Sequence, residues 1–312
     1  MRKMISPSSV DQIQRAAALI REGKLVAFPT ETVYGLGANA LDAQAVARIF
    51  SAKGRPSTSP LIVHVESSDR APDFVTAWPA AAGKLAQEFW PGPLTLVLPK
   101  RECIPGIVTA GLPSVGLRVP ANPVALALLA HAGVPIAAPS ANRFTELSPT
   151  TAEHVRKSLG NAVDLILDGG PTSVGIESTV LSLAGPVPVL LRPGMISKEQ
   201  MEALIGPIEL GGAATEAAHP SPGMHRKHYS PRTPLVLTRP PAGRGAYLWL
   251  ARQSEAAQSI HMPADPTQYA ALLYEMLHRL DEEHLDWIAV ELPPDEPEWA
   301  GIRDRLQRAA AI

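Results

Sequence analysis

Five short segments carry the polar residues most able to do chemistry: PTETVYGLG (29–37), KGRP (53–56), GLRVP (116–120), APSAN (138–142) and LLRPG (190–194). Four of them set Lys, Arg, Ser or Asn beside Pro or Gly, which stiffen the backbone and let a ligand approach it closely. Arg118 and Arg192 end apolar, strand-like runs, where a guanidinium requires a carboxylate or phosphate partner. Lys53 and Arg55 follow a helical stretch, and taken alone they read as a solvated helix end whose dipole favours cations. Two strand-borne arginines, a Lys/Arg turn and a Ser-x-Asn loop together describe a site for an anionic ligand with more than one charged group. His64, inside LIVHV, reads as a satisfied core histidine or as a neutral hydrogen-bonding partner at a strand end.

Other chemistries are excluded or weakened by spacing. GLGANA (35–40) matches G-x-G-x-x-A, but Pro29 stops the preceding strand and five residues intervene, so a tight turn is expected instead of a dinucleotide loop. The sequence has no G-x-x-x-x-G-K-[ST] and no G-x-S-x-G, and Ser140-Ala-Asn142 lacks the S-x-x-K partner of penicillin-binding enzymes. His225 and His228 lie three apart without cysteine or carboxylate neighbours, which suits surface or lid histidines and not zinc ligands. A single cysteine, Cys103, allows no intrachain disulfide and is expected to be a small buried filler. No metal site is expected.

The elements that must position these residues follow from periodicity. An opening helix is predicted near 11–21, a buried strand at 24–28, a helix at 42–52 behind Asp42 as N-cap, and a strand at 61–65. Further strands are expected at 94–98, 115–119, 135–138, 165–168, 178–183 and 187–191, with helices at 81–89, 122–131, 151–158 and 198–204. Mixed βα units and adjacent strands imply a mixed sheet. From 208 to 234 the pattern collapses into linker composition, apart from SPGMHRKHYSP (221–231), whose run of His225, Arg226, Lys227, His228 and Tyr229 no spacer needs. Strands at 234–238, 246–250 and 287–293 with helices at 269–283 and 297–310 predict a second, smaller α/β domain.

The 32 prolines are about twice ordinary usage, and many sit where they would stop strands and aim loops. A formal charge of −2 provides no global field for nucleic acid. The uncharged stretch Val119–Asn142 is broken by four prolines, so it does not read as a membrane span. The N-terminus lacks the apolar run of a signal peptide, and a cytoplasmic location is expected.

In order along the chain, PTETVYGLG, KGRPSTSPLIVHV, WPGPLTLVLP, GLRVP, APSANRFTELSPT, GIESTV and LLRPG closely resemble the YrdC-like family of L-threonylcarbamoyladenylate synthases. The likeness covers about the first 200 residues. SPGMHRKHYSP and the small domain after it resemble the long, Sua-type form. The resemblance implies an α/β fold: a YrdC-like twisted mixed sheet with flanking helices at 1–206, a linker or lid at 207–233, and a smaller Rossmann-like α/β domain at 234–312. It implies that L-threonine, bicarbonate or CO2, and ATP give threonylcarbamoyl-AMP and pyrophosphate. The product would feed a separate transferase complex that modifies tRNA, with tRNA itself met only indirectly and no membrane partner. By the same likeness, Thr32, His64, Arg118, the backbone at Ala138, and Ser178 fall where L-threonine is held. Arg55, Ser59, Ser114, Ser140, Asn142, Ser148, Arg192 and Tyr229 fall where ATP is held, with Lys53 and Arg55 as the phosphate-stabilising pair and Mg2+ entering with ATP. Ser59 departs from the asparagine common in the family. A double-stranded-RNA-binding module without catalysis is the rival reading, as is a carbamoyl-transfer enzyme sharing the nucleotide pocket.

Overall fold

A computed structural model describes residues 7–211 and 228–311 as two sheets with flanking helices. The chain opens with helix α1 (Pro7–Arg21) and a hairpin of β1 (Val26–Pro29) and β2 (Tyr34–Asn39), followed by α2 (Ala43–Lys53) and β3 (Ile62–His64). A 3-10 turn and α3 (Ala80–Phe89) lead to the antiparallel pair β4 (Leu94–Pro99) and β5 (Ser114–Arg118). There follow α4 (Pro123–Ala132), β6 (Ile136–Ala137), α5 (Ala152–Leu159), β7 (Leu165–Ile166), β8 (Thr179–Ser182), β9 (Val189–Arg192), α6 (Lys198–Ile205) and β10 (Glu209–Leu210). These ten strands form one mixed sheet in the order β10-β9-β8-β4-β5-β3-β6-β2-β1-β7.

Period-two alternation on β1 shows how the sheet is covered on both faces. Val26 and Phe28 join a cluster with Ile13, Ile20, Leu128 and Leu129 of α1 and α4, whereas Leu25 and Ala27 join the cluster that buries Val46 and Ile49 of α2. Asp42 caps α2 by accepting from the amides of Gln44 and Ala45, as its position predicted.

The second sheet has four parallel strands in the order β11 (Leu235–Val236), β14 (Trp287–Val290), β12 (Gly245–Trp249) and β13 (Gln258–His261). Helix α7 (Pro266–Asp281) makes the crossover from β13 to β14, and α8 (Ala300–Ala309) closes the chain. Val33, Leu147 and Ile176 of the first unit share a buried cluster with Leu273, Leu277 and Ile302 of the second, so the two sheets are joined by an apolar seam.

Several expectations are corrected. GLGANA is no turn: it is the body of β2, so the first unit is ββαβ. Its glycines serve packing, since a Cβ on Gly37 would lie 2.7 Å from Phe28 and 2.8 Å from Ile136. Pro29 ends β1 from within. Strand β13 was not anticipated, because its burial alternates within a run containing Gln, Ser and His. Strand β10 lies inside the stretch expected to be linker and pairs in parallel with β9. Cys103 is exposed, not a buried filler. As expected, the stretch 119–142 is broken up, into the ten-residue α4 and β6, and among the described residues no helix is long and apolar enough to cross a membrane. His225, Arg226 and Lys227 lie outside the described residues.

Candidate active site

The middle of the large sheet brings the distant segments together. Strands β3 and β5 run in parallel with His64 beside Arg118, and β6 places Ile136 on the other side of His64. Gly35 bridges to Ser140, which seats the Ser-x-Asn loop against β2. The result is a partly open cavity. Of the residues singled out by sequence, Thr32, Arg55, His64, Arg118 and Ala138 line it, together with Ser140, Ser178, Arg192 and Tyr229.

One end is built around Arg118. Its Nη2 donates to Glu31 Oε1 at 2.6 Å and its Nε to the Gly92 carbonyl at 3.2 Å, both groups being buried. Glu31 in turn accepts from the Ala121 amide through Oε2. Thr30 Oγ1 donates to the Val33 carbonyl, so at the 2.8 Å contact between the two hydroxyls Thr32 is the donor. Thr32, whose hydroxyl is thereby a donor to Thr30, lines the cavity. Burial, then the Arg118 charge, drives His64 down to about 3, so its ring is neutral at physiological pH. Among the described residues the Nδ1 of His64 is buried without a hydrogen-bond partner, so the ring is not the fully satisfied core histidine of the plainer expectation.

The other end gathers cations. Arg55 is buried, donates from Nη2 to the Pro60 carbonyl, and lies with its guanidinium 5.7 Å from the Phe144 ring centroid. Burial lowers it to about 10, still cationic at neutral pH. Arg192 donates to the Ser178 carbonyl and Oγ at 3.1 and 3.2 Å. Ser178 Oγ also meets Thr95 Oγ1 at 2.8 Å. Tyr229 sits in the left-handed region at φ 61°, an uncommon conformation for a non-glycine residue. The chain around it is held by Ser230, whose amide donates to the Thr145 carbonyl and whose hydroxyl donates to the Ala309 carbonyl. The Tyr229 hydroxyl is buried with no hydrogen-bond partner among the described residues, and burial, then Glu177, raises it above the ordinary phenol value.

Lys53, Ser59, Ser114, Asn142 and Ser148 do not line this cavity. Lys53 is buried, not a solvated helix end, and its Nζ donates to the carbonyls of Ser140 and Asn142. Burial, then Arg55, lowers it well below the ordinary lysine value. Asn142 Nδ2 donates to the carbonyls of Arg143 and Glu146, so Lys53 and Asn142 hold the loop that carries Ser140. Ser59 is fully buried, and Ser114 lines a smaller cavity that shares Ile62 with the main one. Ser148 donates to Glu177 Oε1 at 2.5 Å.

Glu177, Glu31 and Arg305 were missed by sequence reasoning. Glu177 lines the cavity, and its Oε2 accepts from Arg305 Nε at 2.6 Å and from the Tyr274 hydroxyl at 3.2 Å. Burial raises the Glu177 carboxyl, but Arg305, then Arg192 and the Ser148 hydroxyl, outweigh it and hold the group below its ordinary value. The available signal was an acidic residue inside GIESTV, next to Ser178. Nothing local in the C-terminal helix marks Arg305.

Residues 18–194 match the Sua5/YciO/YrdC family model, described as "Telomere recombination", and residues 196–311 match one described as "Threonylcarbamoyl-AMP synthase, C-terminal domain". A threonylcarbamoyl-AMP synthase of Bacillus subtilis is 45% identical over 321 residues, covering 96% of this chain and 93% of that protein. One from Pyrococcus abyssi is 41% identical over 320 residues, covering 96% and 94%. The crystal structure of P. abyssi Sua5 complexed with L-threonine superimposes with a TM-score of 0.92 at 38% identity, over 99% of this chain and 96% of that one. Both units of the fold are therefore matched, in sequence and in space, and the chain belongs to the two-domain Sua5/YrdC family of threonylcarbamoyl-AMP synthases.

Proposed function

We propose that the cavity seats L-threonine against Arg118 and the triphosphate of ATP against Arg55 and Arg192, and joins them through a carbamate. The observation that carries this reading is the division of one cavity into an end with a paired arginine beside hydroxyls and a neutral histidine, and an end with two buried guanidiniums. Arg118 would turn its Nη1 to the threonine carboxylate. Thr32 and Ser178 would hold the amino-acid end with the backbone at Ala138, and neutral His64 would offer hydrogen bonding without adding charge.

The amine nitrogen adds to CO2, forming an N–C bond and losing a proton, and a carbamate oxygen then attacks the α-phosphorus in line. The Pα–O bond to pyrophosphate breaks, and pyrophosphate leaves with the bonding electrons. Such a step needs positioning and neutralisation of charge more than a covalent nucleophile. Arg55 and Arg192 would supply that neutralisation, with Ser140 and Tyr229 closing on the nucleotide. Lys53 acts in this reading by fixing the carbonyls of Ser140 and Asn142. Ser148 acts through Glu177, and Ser59 and Ser114 border the neighbouring space.

Mg2+ would arrive as part of the ATP substrate. There it would be held mainly by phosphate oxygens. The product would be consumed by a tRNA-modifying transferase, in the cytoplasm. Pyrophosphate release from ATP, measured with and without L-threonine and bicarbonate, tests the reading on wild type and on Lys53→Ala with Arg55→Ala. Release should require threonine and fall in the double variant. Release indifferent to threonine would overturn it. The alternative of an RNA-binding module gains no support from a cavity lined by buried, and not surface, cations.

A further inference from the structure

The C-terminal unit reaches the nucleotide end of the cavity through one side chain. Helix α8 packs backbone to backbone on the LLRPG turn, where a Cβ on Gly301 would lie 2.7 Å from the carbonyl carbon of Gly194. One helical turn further on, Arg305 is fully buried and spends most of its donors on the large-sheet unit. Nε donates to Glu177 Oε2 at 2.6 Å, Nη2 to the Glu177 carbonyl at 3.2 Å, and Nη1 to the Pro193 carbonyl at 3.0 Å and to Asp304 at 2.6 Å. Its guanidinium also lies 5.2 Å from the Tyr229 ring centroid. Arg305 does not line the cavity, whereas Glu177, Arg192 and Tyr229 do.

The chemistry of this arrangement is specific. A carboxylate in the wall of a pocket for a polyphosphate repels the ligand, or competes with it for the cations that should bind it. Arg305 cancels that charge from behind, and by holding the Pro193 carbonyl it also fixes the turn that follows Arg192. We propose that Arg305 is a positioning residue for the nucleotide half of the site: it neutralises Glu177, so that Arg192 serves the phosphates, and thereby makes docking of the C-terminal unit a condition of ATP binding. The inference rests on the nucleotide reading given above.

The test is steady-state pyrophosphate release by the full chain with ATP and L-threonine varied separately. Arg305→Met should raise the KM for ATP about tenfold or more, because it leaves a buried carboxylate unpaired, and leave that for threonine within about twofold. Adding Glu177→Gln to Arg305→Met should bring the ATP value back to within about threefold of wild type, since the uncompensated charge in the cavity wall is then gone and Asp304 keeps its pair with Arg308. Arg305→Lys, which keeps the charge, should stay within about threefold and covers the case in which the Met variant does not fold. Equal loss toward both substrates, no recovery in the double variant, or a folded Lys variant as impaired as the Met variant would each overturn the proposal. Arg192→Met separates the two levels. If it leaves the ATP KM unchanged, the nucleotide reading itself fails; if it raises that KM while Arg305→Met does not, only this inference fails.

Discussion

The two ends of the cavity each contain a buried arginine–glutamate pair, arranged in opposite senses. At the end proposed for threonine Arg118 faces the cavity and Glu31 stands behind it; at the end proposed for the nucleotide Glu177 faces the cavity and Arg305 stands behind. In both, the N–O distance is 2.6 Å and both partners are buried, so geometry alone would give them equal weight. Orientation separates them. The arginine that faces the ligand contributes attraction, whereas the one behind the wall removes repulsion. The first pair also lies within one unit of the fold, while the second ties the two units together.

The largest expected effect comes from breaking the first pair. Arg118→Met should weaken L-threonine binding by roughly 10²–10³-fold, the loss typical of a buried, charge-assisted contact, with ATP binding little changed. It should also cost about 3 kcal/mol of stability, because Glu31 is left buried and unpaired. Adding Glu31→Gln should restore much of that stability and none of the threonine affinity. Titration calorimetry with each substrate, alongside urea unfolding, reads both. Recovery of threonine binding in the double variant would erase the distinction between the two ends.

Next in size is Arg55→Met. This guanidinium has no salt bridge among the described residues, so its removal relieves a desolvated charge and should leave stability within about 1 kcal/mol of wild type or improve it. ATP affinity should fall about 10–100-fold, with threonine affinity held within about twofold. A matching loss toward threonine would show that the cavity is not divided as described.

The unequal legibility of the two ends has a physical reason. Arg118 and Arg192 could be read because a charge closing an apolar strand run requires explanation wherever the strand goes, and Arg55 because Gly54 and Pro56 fix its turn. Most strands and helices followed from periodicity in the same way. Glu31 was less legible, since its partner is 87 residues away and the two meet only because the β1–β2 connection and the end of β5 come together across the sheet order β5-β3-β6-β2-β1. Arg305 was invisible: it lies on a charged helix whose other arginines are at least partly exposed, and its partner is 128 residues earlier. The glycines of GLGANA misled because a close strand crossing and a tight turn both need a missing Cβ. Lys53 is legible as a charge, but sequence does not show the two carbonyls that its ammonium holds.

A pH series extends the comparison from the cavity to the crevice between the units. His64 in the cavity and His154 of α5 are both lowered from 6.5 to about 3, each by burial first, then by Arg118 and by His278 respectively. His154 stacks on His278 of α7 at 3.8 Å between centroids. As pH falls below 6.5 the unfolded chain takes up these protons before the folded one does, so stability is present above 6.5 and is lost progressively toward about 3. Glu177, held below its ordinary 4.5, adds loss in the same direction at the acid end. Urea midpoints across this range should decline, and His154→Gln should flatten the decline by the contribution of one proton. An unchanged slope would mean that the stacked pair already carries a proton.

The smallest effect gives the sharpest reading of the nucleotide end. Among the described residues the Tyr229 hydroxyl is buried without a partner, in a backbone conformation that is itself unfavourable, which is a cost the folded chain carries for no internal gain. Tyr229→Phe keeps the ring stacked below Arg305 and removes only that oxygen, so stability should stay equal or rise by up to about 1 kcal/mol. If the hydroxyl exists to meet the nucleotide, ATP affinity should fall about 3–10-fold, the value of one hydrogen bond, with threonine affinity unchanged. The two signs are opposed, and no loosening of the fold produces both together. A variant equally stable and equally tight for ATP would leave the ring, and not the hydroxyl, as what the linker contributes to the cavity.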